Sequence, residues 1–277
     1  MKKIGFIDYY LDEWHANNYP TWINEAVKNV GAELCVAYAW AEKNAENGLS
    51  TKEWCDKFGV TECKTLSEIC EKSDFLIILA PSNPEKHLEY AREVLKHGKR
   101  TYIDKTFAPN YKEAKEIFDL AERYNAEIFS SSALRYATEL CSVKNAKNLI
   151  FTGGGRSVDE YIVHQIEQLT VLFGVGAQSV KAEEQGDQKI FSVGYSDGKK
   201  ATLIFAPVLP FTVCYDGDES GYAPVTSTFF NGLIADIVGF FETGNCSPAK
   251  EQTLEIMKIR EAILKAAKCV GETVLIS

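Results

Sequence analysis

The segment Gly153-Gly154-Gly155-Arg156-Ser157-Val158-Asp159-Glu160-Tyr161-Ile162-Val163-His164-Gln165-Ile166-Glu167 sets an acid, an imidazole and an acid at helical intervals. At 100° per residue, Glu160, His164 and Glu167 fall within about 60° of one another, while Ile162, Ile166, Leu169 and Phe173 gather on the opposite side. One face packs and the other can do chemistry. Flanking carboxylates fix a histidine tautomer and raise its pKa, which suits a general acid or base near neutral pH. The same spacing also describes a solvated helix face with ordinary ion pairs. Ser157 and Glu160 stand in capping-box spacing, which starts the helix under either reading.

A second candidate is Tyr102-Ile103-Asp104-Lys105-Thr106, at the carboxyl end of an apolar strand. A lysine there shuttles a proton if burial or a neighbouring cation lowers its pKa, although most lysines are simply solvated. A third is Ala80-Pro81-Ser82-Asn83-Pro84, whose hydroxyl and amide could meet a ribose or nicotinamide; helix capping by Asn83 accounts for it equally well. His87, in the first turn of the helix that follows, reads as a surface or internally satisfied histidine. A dinucleotide fold normally places Gly-x-Gly-x-x-Gly after its first strand, so that backbone can approach the diphosphate. Here that stretch is Asp8-Tyr9-Tyr10-Leu11-Asp12-Glu13, and both steric room and charge oppose a diphosphate held in the usual way. Gly153 to Gly155 precede a helix and could bind an anion, but a tight entry turn is the commoner use.

The elements that position these groups alternate. Residues 3–9 form a short apolar strand, Pro20 to Val30 a helix, residues 33–38 a strand, Thr51 to Phe58 a helix, and Asp74 to Ala80 a strand apolar on both faces, as in buried parallel sheets. Asn83-Pro84 then starts a helix that Gly98 ends. Arg100 to Asp104 (strand), Asn110 to Tyr124 (helix) and Ala126 to Ser130 (strand) continue the rhythm. Such alternation implies an open, doubly wound parallel sheet whose ligands bind at the carboxyl ends of its strands. Beyond residue 133 the rhythm changes. A long helix, Val158 to Phe173, precedes period-two segments near 178–184, 189–196, 200–207 and 211–216, with Asp197-Gly198 as a hairpin turn. Helices at 229–243 and 249–270 and a strand at 273–276 close the chain. The expected domains are 1–132 and 133–277, the second an α+β domain with a mainly antiparallel sheet.

The 277 residues carry 30 Lys plus Arg against 39 Asp plus Glu, a net charge of −9, and the basic residues do not cluster, so nucleic acid is not expected as a partner. Eight cysteines are scattered without a Cys-x-x-Cys pair, which reads as buried thiols in a reducing compartment rather than as zinc ligands. Asp8 interrupts the first apolar run too early for a signal peptide, and no run approaches the roughly 20 residues of a membrane helix. A soluble cytoplasmic protein without membrane partners is expected. An antiparallel sheet with one uncovered face would be a natural surface for homo-oligomers.

With these residues placed, the chain resembles the Gfo/Idh/MocA oxidoreductases over nearly its full length. Members pair a Rossmann domain with a carboxy-terminal α/β domain and typically move a hydride between NAD(P) and a sugar, cyclitol or related carbonyl compound. Their Glu-Lys-Pro after the fifth strand is here Asp104-Lys105-Thr106. Their acid–histidine–acid helix is matched by Glu160, His164 and Glu167. The resemblance implies Lys105, His164 and Glu160 as catalytic residues, and Lys105, Tyr161, His164 and Glu167 as substrate contacts. It implies Asp8, Tyr9, Tyr10, Trp40, Ala80, Pro81, Ser82, Asn83 and Asp104 along an NAD or NADP site. Trp40-Ala41-Glu42, after the second strand, offers no clear acid for a ribose 2′-hydroxyl and no arginine for a 2′-phosphate. No metal site is expected; a metal-assisted lyase using Glu160, His164 and Glu167 would have a poor ligand cage on a single helix. The alternative is a sugar-type binding or regulatory protein on the same fold that has lost its dinucleotide.

Overall fold

The computed structural model describes residues 1–276. Contacts divide the chain into two units: residues 1–131 with 233–249, and residues 132–232 with 250 onward.

The first unit is a six-stranded parallel sheet of β1 (Lys2–Asp8), β2 (Leu34–Ala41), β3 (Thr61–Glu62), β4 (Phe75–Ile78), β5 (Thr101–Ile103) and β6 (Ile128–Phe129), in the order β3-β2-β1-β4-β5-β6. Its helices are α1 (Trp14–Val30), α2 (Thr51–Phe58), α3 (Leu66–Lys72), α4 (Glu85–Val94) and α5 (Tyr111–Arg123). Strand order reverses between β1 and β4, which opens a crevice at their carboxyl ends, the usual ligand position in doubly wound sheets. Side-chain caps start several of these helices. Ser50 and Glu53 form a capping box on α2, and Asn110 caps α5 by accepting from Glu113 N at 3.0 Å. Two expected starts move. α1 begins at Trp14 instead of Pro20, because Glu13 caps it, and it carries Pro20 inside. α4 follows Pro84, and Asn83, expected as its cap, donates instead to the Glu85 carboxylate at 2.9 Å. Burial pushes the Cys55, Cys63 and Cys70 thiols up to about 12, 11 and 12, so all three are inert packing groups.

The second unit holds β7 (Asn148–Gly153), α6 (Val158–Phe173), β8 (Ala177–Gln185), β9 (Gln188–Tyr195), β10 (Lys200–Phe205), β11 (Thr212–Asp216), β12 (Ser220–Pro224), α8 (Lys250–Ala266) and β13 (Thr273–Leu275). The seven strands run β12-β11-β7-β10-β9-β8-β13, antiparallel except for the β7/β10 pair. Alternate residues such as Leu149, Phe151, Leu203, Phe191 and Val193 point inward and join Ile162, Ile166 and Leu169 of α6 and Ile259 and Ile263 of α8 in one core. The other face shows Ile150, 42% exposed, and Tyr222, 63% exposed.

α7 (Phe229–Thr243) corrects the expected boundary, since its residues from Leu233 on belong to the first unit. The cause is aromatic packing: Phe241 stacks on Phe75 with ring centroids 4.8 Å apart, and Phe240 meets Phe129 edge-on at 4.9 Å.

Candidate active site

In the first unit the residues expected from the sequence line the carboxyl ends of β1, β2, β4 and β5. Asp8 ends β1 and is buried, its Oδ1 accepting from Tyr9 N at 2.7 Å and Ala80 N at 3.0 Å, which ties β1 to the end of β4. Ala80 takes a left-handed backbone with φ of 46°, a conformation that favours glycine. Asp8 Oδ2 is buried without a hydrogen-bond partner. Burial first, and then the charge of Glu13, push the Asp8 carboxyl well above the ordinary range.

Asp104, beyond β5, is also buried; its Oδ1 accepts from Tyr102 Oη at 2.9 Å and its Oδ2 meets His15 Nδ1. Burial pushes this carboxyl up, but the charge and hydrogen bond of His15, with Lys105 behind them, outweigh it and hold the group below the usual range. Lys105 is half-buried and donates from Nζ to the Pro81 carbonyl at 3.4 Å. Tyr9, Tyr10, Ser82 and Asn83 line a pocket of about 490 Å³ together with Asp12 and Lys43. Trp40, near the tip of β2, packs edge-on against Tyr90.

Two groups here have roles that the sequence reading does not assign, and another takes one of its two readings. Glu42 follows β2 directly and binds Lys86 Nζ at 2.8 Å and Tyr90 Oη at 2.7 Å. His87 is fully buried, with Nε2 2.6 Å from Leu79 O and Nδ1 3.1 Å from Phe107 O, the internally satisfied histidine of its two readings. Glu13 and His15 are the third element. The Glu13 carboxylate accepts from His15 N at 2.8 Å and from Ala16 N, and so caps α1. Glu13 is the last position of the stretch where a dinucleotide fold carries glycines, and that correspondence is the one signal the sequence holds for it.

In the second unit the glycine run forms the tight entry turn to α6. A Cβ on Gly154 would lie 2.5 Å from Ala206 O and 2.6 Å from Pro207 O, and the Tyr161 ring fills the space beside Gly155. Ser157 caps α6, its Oγ accepting from Glu160 N at 3.3 Å. The expected face then divides. Glu160 is half-buried and pairs with Arg156. His164 is half-buried, its Nδ1 2.7 Å from Ser132 Oγ, its ring edge-on to Tyr161 and Phe211. Glu167 is 2% exposed: its Oε1 accepts from Arg135 Nε at 2.6 Å and its Oε2 from Ser132 N at 3.1 Å. Glu167 therefore braces the turn that holds Ser132 against His164. Ser132 and Arg135 are not visible in the helix pattern. Among the described residues, no group of three or more His, Cys, Asp or Glu side chains is arranged to hold a metal ion.

Residues 24–131 match the oxidoreductase family with an NAD-binding Rossmann fold, Gfo/Idh/MocA. Over that stretch the chain is similar to the Gfo/Idh/MocA oxidoreductases. The match begins beyond the Glu13 loop and runs to the end of the first unit's sheet. Among curated relatives, the uncharacterized oxidoreductase YhhX of Escherichia coli is 27% identical over 81 residues, 29% of this chain, and the aligned stretch spans only 24% of that relative. Solved structures carry the likeness over the whole chain. Myo-inositol 2-dehydrogenase from Lactobacillus plantarum is 14% identical with a TM-score of 0.75, covering 100% of this chain and 99% of its own. Biliverdin reductase from Synechocystis, in complex with biliverdin and NADP+, is 15% identical with a TM-score of 0.70, covering 98% and 99%. At such identities the likeness is one of fold. Among the described residues no helix is long and apolar enough to cross a membrane.

The first unit does not fit a dinucleotide in the usual manner. The amides at the amino end of α1, which a glycine-rich loop would present to the diphosphate, are taken by Glu13, and Asp8 and Tyr10 stand where the other glycines would be.

Proposed function

We propose that the protein is a cytoplasmic oxidoreductase of the Gfo/Idh/MocA kind acting on a sugar, a cyclitol or a related hydroxy or carbonyl compound. Oxidising such an alcohol takes a proton from oxygen and a hydride from carbon, and this chain's residues account for the proton. Lys105 in the first unit and His164 in the second are the groups suited to exchange that proton, and Tyr161 and Glu160, on the helix that carries His164, are suited to contact and orient a substrate. The supporting observation is the Ser132–His164 hydrogen bond, which engages Nδ1 and fixes the ring, and so favours the imidazole as the proton-exchanging group. NAD or NADP is the hydride carrier that this reading implies. The α1 amides that would grip its diphosphate are taken by Glu13. A homo-oligomer through the exposed face of the second sheet belongs to the same reading.

A second reading, a sugar-type binding or regulatory protein without redox chemistry, is favoured by one observation, the Glu13 carboxylate on the α1 amides. A thermal-shift screen against NAD(H), NADP(H) and a panel of polyols separates the two, since a ligand that binds only the native state raises Tm. Stabilisation by a polyol and a nicotinamide dinucleotide, with turnover lost in Lys105→Met, is the oxidoreductase outcome. Stabilisation by polyols alone is the outcome for the second reading, and full turnover in Lys105→Met removes the role given to that lysine.

A further inference from the structure

The amino end of a helix offers unpaired amide N–H groups and the positive end of the helix dipole, and a strand–turn–helix uses both to grip phosphate. In α1 both are engaged by the chain itself. Glu13 sits at the N-cap, and its two oxygens accept from His15 N and Ala16 N. The surroundings keep an added anion out. Asp8 is buried nearby, close enough to feel the charges of both Glu13 and Asp104, and its Oδ2 is enclosed without a partner. His15, the basic group at the start of α1, is committed through Nδ1 to Asp104, which Lys105 also neutralises in part. A diphosphate arriving here would have to expel Glu13 and then lie beside it and Asp104.

We propose that Glu13 is a built-in substitute for ligand phosphate, the specificity-determining residue that closes the phosphate seat of the first unit. Any ligand of this unit is therefore held without the α1 amides, and diphosphate-anchored nucleotide binding is shut out. Oxidoreductase chemistry needs a hydride carrier but not this seat, so the inference stands apart from the proposed function and fails separately from it.

The test is a ¹⁵N–¹H NMR titration of the full chain with NADH, NADPH and inorganic phosphate. The His15 and Ala16 amide signals of the wild-type protein are expected to stay in place with all three probes. In Glu13→Ala the same signals are expected to shift when inorganic phosphate is added. Wild-type His15 and Ala16 signals that move with NADH or NADPH would show the diphosphate displacing Glu13 and would overturn the proposal. So would a folded Glu13→Ala protein whose two amides ignore phosphate. The wild-type titration decides by itself if Glu13→Ala does not fold. NADH binding seen by calorimetry with both wild-type amides unmoved supports the closed seat and leaves the oxidoreductase reading intact, whereas a protein inert toward every polyol sinks that reading alone.

Discussion

Asp8 carries a pH effect whose sign follows from its burial. Its folded-state pKa lies well above the ordinary value and its unfolded-state pKa does not, so between the two the native protein holds a proton that the unfolded chain has lost. Stability from this residue is complete at acid pH and falls by about 1.4 kcal/mol per pH unit as pH rises through that window. Asp8→Asn keeps the shape and cannot ionise, so its advantage over wild type should grow from about pH 4 toward neutrality in urea unfolding. Parallel stability curves for the two proteins would rule this out. Asp104 is held low by His15 and loses its contribution as pH falls, so the comparison is read above that range, where Asp104 stays ionised in both proteins. For catalysis, His164→Gln and Lys105→Met should each lower kcat by at least about a hundredfold. Ser132→Ala should cost about tenfold, the worth of one hydrogen bond, and should also displace the pH–rate profile, which a merely structural defect would not do. The helical spacing of Glu160, His164 and Glu167 is readable along one segment. Their braces, Ser132 and Arg135, lie 32 residues upstream of His164 and Glu167, and periodicity says nothing about partners that arrive from elsewhere.

Elements with a strong period are legible, and those without one are not. α2 and α6 fall on the residues that the pattern predicts, and Gly198 closes the expected hairpin between β9 and β10. β3, two residues long, has no period to detect, and α3 spans only seven residues. β7 escapes notice because Leu149 and Phe151 face the core while Ile150 between them faces out, so its pattern reads as an undivided apolar run. α7 is legible as a helix but not as part of the first unit, since an apolar helix does not state which core it serves. Its contribution is testable: Phe241 is fully buried, stacked on Phe75 and linked through its carbonyl to Arg100 Nη1 at 2.9 Å. Phe241→Ala should destabilise the protein by about 3–5 kcal/mol in urea unfolding, and a loss below about 1 kcal/mol would mean that the stack does not support the sheet.

For the whole molecule, the alternation of strands and helices is enough to anticipate a parallel sheet followed by an antiparallel one, because each architecture leaves its own period in the chain. The exposed face of the second sheet carries Tyr222, Cys214, Ile150, Thr202 and Ser192 in register across five strands. If copies associate there, light scattering should give a dimer mass or higher for wild type, and Ile150→Lys should shift the population toward monomer at low concentration. A wild-type monomer at every concentration would dismiss that surface. The return of residues 233–249 to the first unit bears on biosynthesis. A ribosome delivers the amino-terminal sheet long before the segment bearing Phe240 and Phe241 emerges, so Phe75 and Phe129 await their cover while more than a hundred further residues are translated. The nascent chain is thus a natural client for chaperones, and a truncation ending near residue 132 should be an aggregation-prone fragment instead of a freestanding domain.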